Sequence, residues 1–246
     1  ANGRGNYSHN INNRAEWNSD FLLSYDNSAG QFSYGVSLGG NYRIDNYSSV
    51  SQWGSGLQIP GYYHMSNLSE FYTNEYSSRY EVASLYALGN VSFKDALYFD
   101  LTYRSDWSSS LPSDKNQYDY YSLNLSWLFT NTFSLPEWFS SGKLRGSVAL
   151  TGNDTSPYRL ENVYNVIQSP LPYSMVSIPG ELKTPDLLPE TNHTWEIGTD
   201  LGFIDSRLIF NLTYYYSLAE NQIMSVPIPI STSYSSKVLN SGEVQN

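Results

Sequence analysis

The chain has 246 residues, with 13 basic and 23 acidic side chains, and its formal charge is −10 at pH 7. This negative charge disfavours nucleic acid and anionic membrane surfaces as partners. The sequence contains no cysteine, which excludes disulfide bonds and thiolate metal sites within these residues.

Strict alternation of apolar and polar residues predicts a series of half-buried antiparallel strands. The clearest single strand is 31–44, where Val36 and Leu38 fall on the apolar side and small polar residues fall on the other. The clearest hairpin joins 191–203 to 208–217 through a tight turn. In chain order, the predicted strands span 16–25, 31–44, 80–93, 97–104, 118–129, 143–151, 191–203 and 208–217.

The lengths of these strands favour a membrane barrel over a small soluble sandwich. A tilted strand needs about 9–11 residues to cross a bilayer, whereas globular strands average about 5–6. No apolar run approaches the roughly 18 residues of a transmembrane helix. The many aromatic residues, including 23 Tyr, suit membrane interfaces, although β-rich proteins in general favour them. The residues expected to face lipid are Val36, Leu38, Phe99, Leu101, Leu123, Leu125, Leu208, Phe210 and Leu212.

The connections between the predicted strands alternate between short and long, as in outer-membrane barrels, which have short periplasmic turns and long external loops. The tight turns are 27–30, 94–96 and 204–207. One connection, 130–142, is long although the alternation places it on the periplasmic side. A short helical turn is expected within it, at 135–139. The long connections are 45–79, 105–117, 152–190 and 218–240.

The polar sides of the strands suit a wide, wet interior, because they carry mainly Ser, Gly, Asn and Thr. Eight strands can close a minimal barrel only if side chains fill a narrow lumen. We therefore expect an all-β fold, an antiparallel transmembrane barrel of which this chain forms an arc of about eight strands. The strand at 16–25 and one beginning at Gly242 are expected to pair with polypeptide outside this segment.

Several ordered motifs resemble the SusC/RagA-type TonB-dependent outer-membrane transporters of Bacteroidetes. The segment 187–191 leading into 195–200 carries the first of them, and 208–216 with 221–223 and 235–246 follows. Upstream, 94–107 and 143–158 look like successive barrel hairpins of that family. The similarity in motifs covers 80–246, while the preceding stretch fits by pattern alone.

The resemblance implies a 22-stranded barrel closed by an N-terminal plug, with residues 1–246 as part of the barrel and no plug or TonB-contacting box among them. It also implies a location in the outer membrane and TonB-driven import of a glycan fragment or a peptide. A SusD-like surface lipoprotein, TonB, the remaining barrel and plug, and membrane lipid are the implied partners. No cofactor is implied.

Candidate catalytic and metal-binding motifs are weak. Gly35–Gly39 matches G-x-S-x-G around Ser37, but it lies inside a strand without the strand-to-helix turn that a nucleophile needs. The histidines His9, His64 and His193 are isolated. The pair Asn153-Asp154 is expected to be a solvated loop face, because no calcium-loop motif surrounds it. The protein is not expected to be an enzyme or to hold a metal.

Aromatic residues in the long connections are the candidate binding feature. Flat amphipathic rings can stack on a sugar or anchor a partner protein, and they can equally serve to pack the loops against each other. The candidates are Trp53, Tyr62, Tyr63, Phe71, Tyr72, Trp107 and Tyr158.

A second function class remains open on the sequence: a secreted or surface carbohydrate-binding or adhesive β module that transports nothing. Such a module needs a second sheet to cover the apolar side of the strands. The membrane-length strands and the alternating connections favour the transporter.

Overall fold

A computed structural model describes residues 5–167, 173 and 175–246, which form an almost entirely β structure. Three single 3-10 turns occur, at Met65–Asn67, Phe129–Asn131 and Ile230–Thr232. In this part of the chain, no helix is long and apolar enough to span a membrane. The strands are β1 Asn6–Ala29, β2 Phe32–Leu57, β3 Leu68–Phe93, β4 Leu97–Ser108, β5 Gln117–Leu128, β6 Phe139–Asn153, β7 Asn165–Ile167, β8 Met175–Ser177, β9 Glu181–Leu182, β10 Glu190–Phe203, β11 Leu208–Pro227 and β12 Ser236–Gln245.

Ten of these strands form one sheet in the order β1-β2-β3-β4-β5-β6-β10-β11-β12-β9. All neighbouring pairs are antiparallel except β12 with the short β9. Within the described residues β1 pairs with β2 alone and does not meet β12, so the sheet stays open. This confirms the predicted arc of a larger barrel. It contains nine long strands where about eight were predicted. The ninth is β12, which begins at Ser236, whereas a strand was predicted only from Gly242.

Three strands are far longer than predicted. β1, β2 and β3 have 24, 26 and 26 residues, so most of 45–79 is strand, and the true connection is 58–67. The prediction of a long loop was wrong because alternation stops after Ile44, where both sides of the strands become polar, while backbone pairing continues to the Leu57–Leu68 pair. We call residues 6–16, 45–57 and 68–80 the outer ribbon.

The connection 218–240 was also predicted too long, since β11 continues to Pro227 and β12 starts at Ser236. The helical turn expected at 135–139 lies instead at Phe129–Asn131. The segment 135–139 is an ordinary turn, closed by a hydrogen bond in which Phe139 N donates to Pro136 O at 2.8 Å.

The predicted apolar residues all lie on one face of the sheet, which we call the outward face. Register places Val36, Leu101 and Leu123 in one row that crosses from β2 to β5. Leu125 is 48% exposed and Leu212 57% exposed, because no second layer covers this face within the described residues. Such a face requires an apolar solvent, and it disfavours the soluble module considered above.

The opposite face is polar and concave. Glu16 on β1 and Thr151 on β6 line the same cleft of about 770 Å³, although four strands lie between them in the sheet. Only curvature toward this face brings these side chains together. The concave face is therefore the lumen side of the arc.

Aromatic rings cluster on the outward face at the end that carries the tight turns. A β-bulge between Gly202 and Phe203 places Phe203 opposite Phe139, with ring centroids 5.1 Å apart. Gly142 leaves room for the ring of Phe129, because a Cβ there would lie 2.2 Å from that ring. Aromatic rings at the end of the strands, where the apolar face meets the turns, are typical of a membrane interface. The cluster consists of Trp127, Phe129, Phe133, Trp138, Phe139 and Phe203.

We expect Leu125→Lys to destabilise the full-length protein by about 2–4 kcal/mol in bilayers, because it buries an ammonium group in hydrocarbon. The control is Asn124→Lys, which places the same charge one residue away on the concave face and is expected to have little effect. Urea titration followed by heat-modifiable gel mobility measures both. Equal destabilisation by the two variants would contradict the assignment of the two faces.

Candidate functional site

An ion pair lies on β4, on the concave face between β3 and β5. Arg104 Nε donates to Asp106 Oδ1 at 2.6 Å, and Arg104 Nη2 donates to Ser84 Oγ at 2.8 Å. Asp106 and Ser84 are buried, whereas the guanidinium of Arg104 reaches the cleft of about 770 Å³. These contacts fix the arginine while leaving one side of it available to a ligand.

A second cleft of about 560 Å³ lies nearer the outer ribbon. Arg43 lines both clefts and separates them. Its guanidinium carbon lies 5.1 Å from the ring centroid of Tyr80, a cation–π geometry that holds the side chain across the face. Arg43 Nε is buried without a hydrogen-bond partner among the described residues.

Asp154, the first residue after β6, forms the wall of the second cleft. Its Oδ2 accepts hydrogen bonds from Tyr80 Oη at 2.6 Å, from Ser110 Oγ at 3.0 Å and from Ser108 Oγ. Ser108 and Ser110 are almost fully buried. The carboxylate thus fixes the start of the 154–189 connection to β3 and to the 109–116 connection. The expectation of a solvated loop face was wrong for Asp154, because the connection folds back onto the concave face, whereas Asn153 is exposed.

Two ionisable groups of this cleft have shifted pKa values. Burial raises the pKa of Tyr80 above its usual range, and the hydrogen bond to Asp154 reinforces the shift, so the phenol stays a donor. The hydrogen bond from Arg14 lowers the pKa of Asp45 on the neighbouring strand. Asp45 therefore stays ionised into the acidic range, and the pair contributes a dipole with little net charge.

Four of the seven predicted aromatic residues lie on strands, where loops were expected. Trp53 stacks on Tyr72 across β2 and β3, with ring centroids 6.0 Å apart, and register places both on the concave side. Phe71 and Trp107 lie on the opposite side, and Trp107 shares its face with Leu101. Trp107 therefore lies near the outer edge of the membrane band.

The other three predicted residues lie in connections. Tyr62 stacks on the ring of His64 at 5.7 Å, and Tyr63 lies 6.5 Å from Tyr7. Tyr158 Oη accepts a hydrogen bond from Arg79 N at 3.3 Å. These contacts show loop packing, and a binding role for the seven residues stays a prediction.

Sequence reasoning did not identify Arg43, Tyr47, Tyr76 and Tyr80 as residues of the concave surface, and it assigned Asp154 to a solvated loop face. One signal was available for the tyrosines: Tyr72, Tyr76 and Tyr80 recur every four residues, which places them on one side of a strand. That signal was lost when 45–79 was interpreted as a loop.

The remaining sequence candidates lie apart from the clefts. Ser37 lies inside β2, near its start, and its Oγ lies 2.8 Å from Ser24 Oγ. His64 Nδ1 bonds Ser66, and His193 lies 3.6 Å from Glu220. In the part of the chain that the structure describes, no three His, Asp or Glu side chains converge on a metal-sized position.

We expect Asp154→Ala to loosen the start of the 154–189 connection, because it leaves buried hydroxyl groups without an acceptor at a cost of about 1–3 kcal/mol. Hydrogen–deuterium exchange should quicken at 152–158 and 108–110, while β10 and β11 stay protected. Asp114→Ala removes an exposed carboxylate nearby and is the control. Unchanged exchange at both segments would show that Asp154 does not hold them.

Comparison with known proteins agrees with this geometry. The whole chain, residues 1–246, matches the family described as TonB dependent receptor-like, beta-barrel. TonB-dependent receptor P26 of Formosa agariphila is 26% identical over 98% of this chain and 26% of its own length. TonB-dependent receptor SusC of Bacteroides thetaiotaomicron is 25% identical over 96% of this chain and 25% of its own. The chain thus spans about a quarter of the length of these relatives.

Solved structures share the fold. The RagAB peptide transporter superposes with a TM-score of 0.87 at 19% identity, over 97% of this chain and 27% of that chain. The ferric enterobactin receptor of Pseudomonas aeruginosa superposes with a TM-score of 0.62 at 16% identity, over 95% of this chain and 32% of that one. The chain belongs to the family of TonB-dependent receptor β-barrels and forms an arc of an outer-membrane barrel.

Proposed function

We propose that the protein imports a nutrient across the outer membrane in a TonB-dependent way. The observation that carries this proposal is the contrast between the two faces of one uncovered sheet. The outward face is apolar at membrane length, and the concave face holds water-accessible clefts lined by ionic and hydroxyl groups. A wall of this kind encloses a wide polar passage.

The cargo that we propose is a glycan fragment or a peptide. Support comes from the names of the similar proteins, which include SusC and a peptide transporter. The residues at the clefts suit polar cargo, since Arg43 and Arg104 offer donors to it. The energy would come through TonB, and the plug and the TonB contact would belong to parts other than residues 1–246.

A SusD-like surface lipoprotein is the partner that we propose on the external side. The relationship to SusC supports it. The outer ribbon also extends beyond the apolar band, which leaves strand surface for contact outside the membrane. The adhesive module is the weaker alternative, because the described sheet has no second layer over its apolar face.

Uptake by cells of the source organism tests the proposal. Strains that lack this protein, and strains that lack TonB, are grown on neutral glycans, acidic glycans or peptides as sole carbon source. We expect both strains to lose growth on the same nutrient, and a protonophore to stop uptake of that nutrient. Uptake that continues without TonB would contradict the proposal.

Cysteine labelling tests the passage directly, since the chain has no cysteine of its own. Asp20 lines the cleft of about 770 Å³, and its neighbour Phe21 is 61% exposed on the outward face. In a cysteine-free full-length protein, a membrane-impermeant maleimide added to intact cells should label Asp20→Cys and spare Phe21→Cys, which lipid covers. Equal labelling of both sites would favour a soluble module.

A further inference from the structure

We infer that the concave side of the outer ribbon is a capture track for a neutral oligosaccharide, with Tyr47, Trp53, Tyr72 and Tyr76 as its stacking rings. This inference rests on the proposed function and names its substrate class. It extends the binding surface from the lumen clefts to the tip of the strands.

The outer ribbon lies outside the membrane. Its outward face carries Asn46, Ser48, Glu75, Ser77 and Arg79, which no hydrocarbon phase accommodates at this density. Thirteen residues of β2 in this region correspond to about 40 Å along the strand. The ribbon therefore projects well past the lipid, where it meets cargo before the barrel does.

The rings lie on one side at regular intervals. Tyr72, Tyr76 and Tyr80 follow one another every four residues along β3, about 13 Å apart. Across to β2, Trp53 lies 6.0 Å from Tyr72, and Tyr47 lies 6.1 Å from Tyr76, between ring centroids. Trp53 and Tyr76 are 44% and 49% exposed, so the pairs retain free ring surface.

The groups between the rings are neutral donors and acceptors. By register, the side of the ribbon that carries these rings has no charged side chain between Glu70 near the tip and the Arg14–Asp45 pair at the inner end, within the described strands. Aliphatic residues are also missing from that interval. Flat rings among hydroxyls and amides fit the apolar faces and hydroxyl edges of sugars. The neutral side chains are Ser8, Asn10, Asn12, Ser49, Ser51, Asn74 and Ser78.

A peptide fits this surface less well. Peptide recognition uses a free strand edge, or pockets for apolar and charged side chains. Here the backbone of β2 is paired on both sides, and the side-chain surface is neutral. The uniform chemistry favours a ligand that is itself uniform along its length and uncharged, as a neutral oligosaccharide is.

Clefts lie at both ends of the row of rings. Trp53 and Tyr72 line a cleft of about 300 Å³ at the tip, together with Asn6. Tyr47 and Tyr80 line the cleft of about 560 Å³ at the inner end, beside Asp154. The track thus leads from the tip of the strands to the lumen clefts on a single face.

Calorimetric titration of the purified full-length protein in detergent tests the track. The probes are the neutral hexasaccharides of glucose in β-1,4 and α-1,4 linkage, of mannose and of xylose, and a mixed-sequence decapeptide pool serves as the competing class. We expect at least one hexasaccharide to bind. In the double variant Trp53→Ala/Tyr72→Ala, its affinity should fall about tenfold or more, because two stacking surfaces are lost.

The matched control is Trp17→Ala, which removes an exposed ring from β1 on the outward face, and its affinity should match that of the unaltered protein. If the double variant fails to fold by heat-modifiable mobility, Trp53→Ala and Tyr76→Ala are measured singly, and each should weaken binding. Unchanged affinity in the ring variants, binding of the decapeptide pool alone, or binding of no hexasaccharide would overturn the track. The proposed function fails separately, when uptake proves independent of TonB.

Discussion

Each backbone N–H and C=O that crosses hydrocarbon must find its partner within the protein, and a continuous antiparallel ladder meets that requirement here. From β1 to β6 and on through β10, β11 and β12, each pair of neighbouring strands is hydrogen-bonded along most of the shorter strand. The ladder allows a single layer to stand without a covering sheet. It also fixes the two-residue period that assigns each side chain to lipid or to the lumen.

The functional surface follows from the curvature of this ladder. Side chains on distant strands, such as Glu16 and Thr151, meet over one cleft because the sheet bends toward its polar face. Contacts between strands then hold the chemistry in place: Arg104 donates to Ser84 on β3, and Arg43 lies over Tyr80. Asp154 adds the contribution of a connection, which folds onto the face that the strands have formed.

The sequence alone predicts the fold wherever the two faces of a strand differ in chemistry. Segments such as 191–203 were located correctly because lipid on one side and water on the other impose alternation. The strands of the outer ribbon were not predicted because water lies on both of their sides. Their Ser, Asn and Tyr residues therefore do not alternate with apolar residues. The position of Trp107 on the outward face of β4 could have been predicted, since it continues the odd-numbered apolar set of Leu97 to Leu101. The environment of Asp154 could not be predicted, because it depends on contacts between residues more than 40 positions apart in the chain.

The connection after β5 bonds to both of its neighbours: Asn131 Nδ2 donates to Asp95 O at 2.7 Å, and Ile204 N donates to Trp138 O at 2.9 Å. Three hairpin turns are thereby joined side by side at one end of the arc. At the opposite end the strands have unequal lengths, and β1, β2 and β3 extend past β4 as a three-stranded ribbon. A load applied at the turn end therefore meets a stiff base, and the compliance of the wall is concentrated at the opposite end.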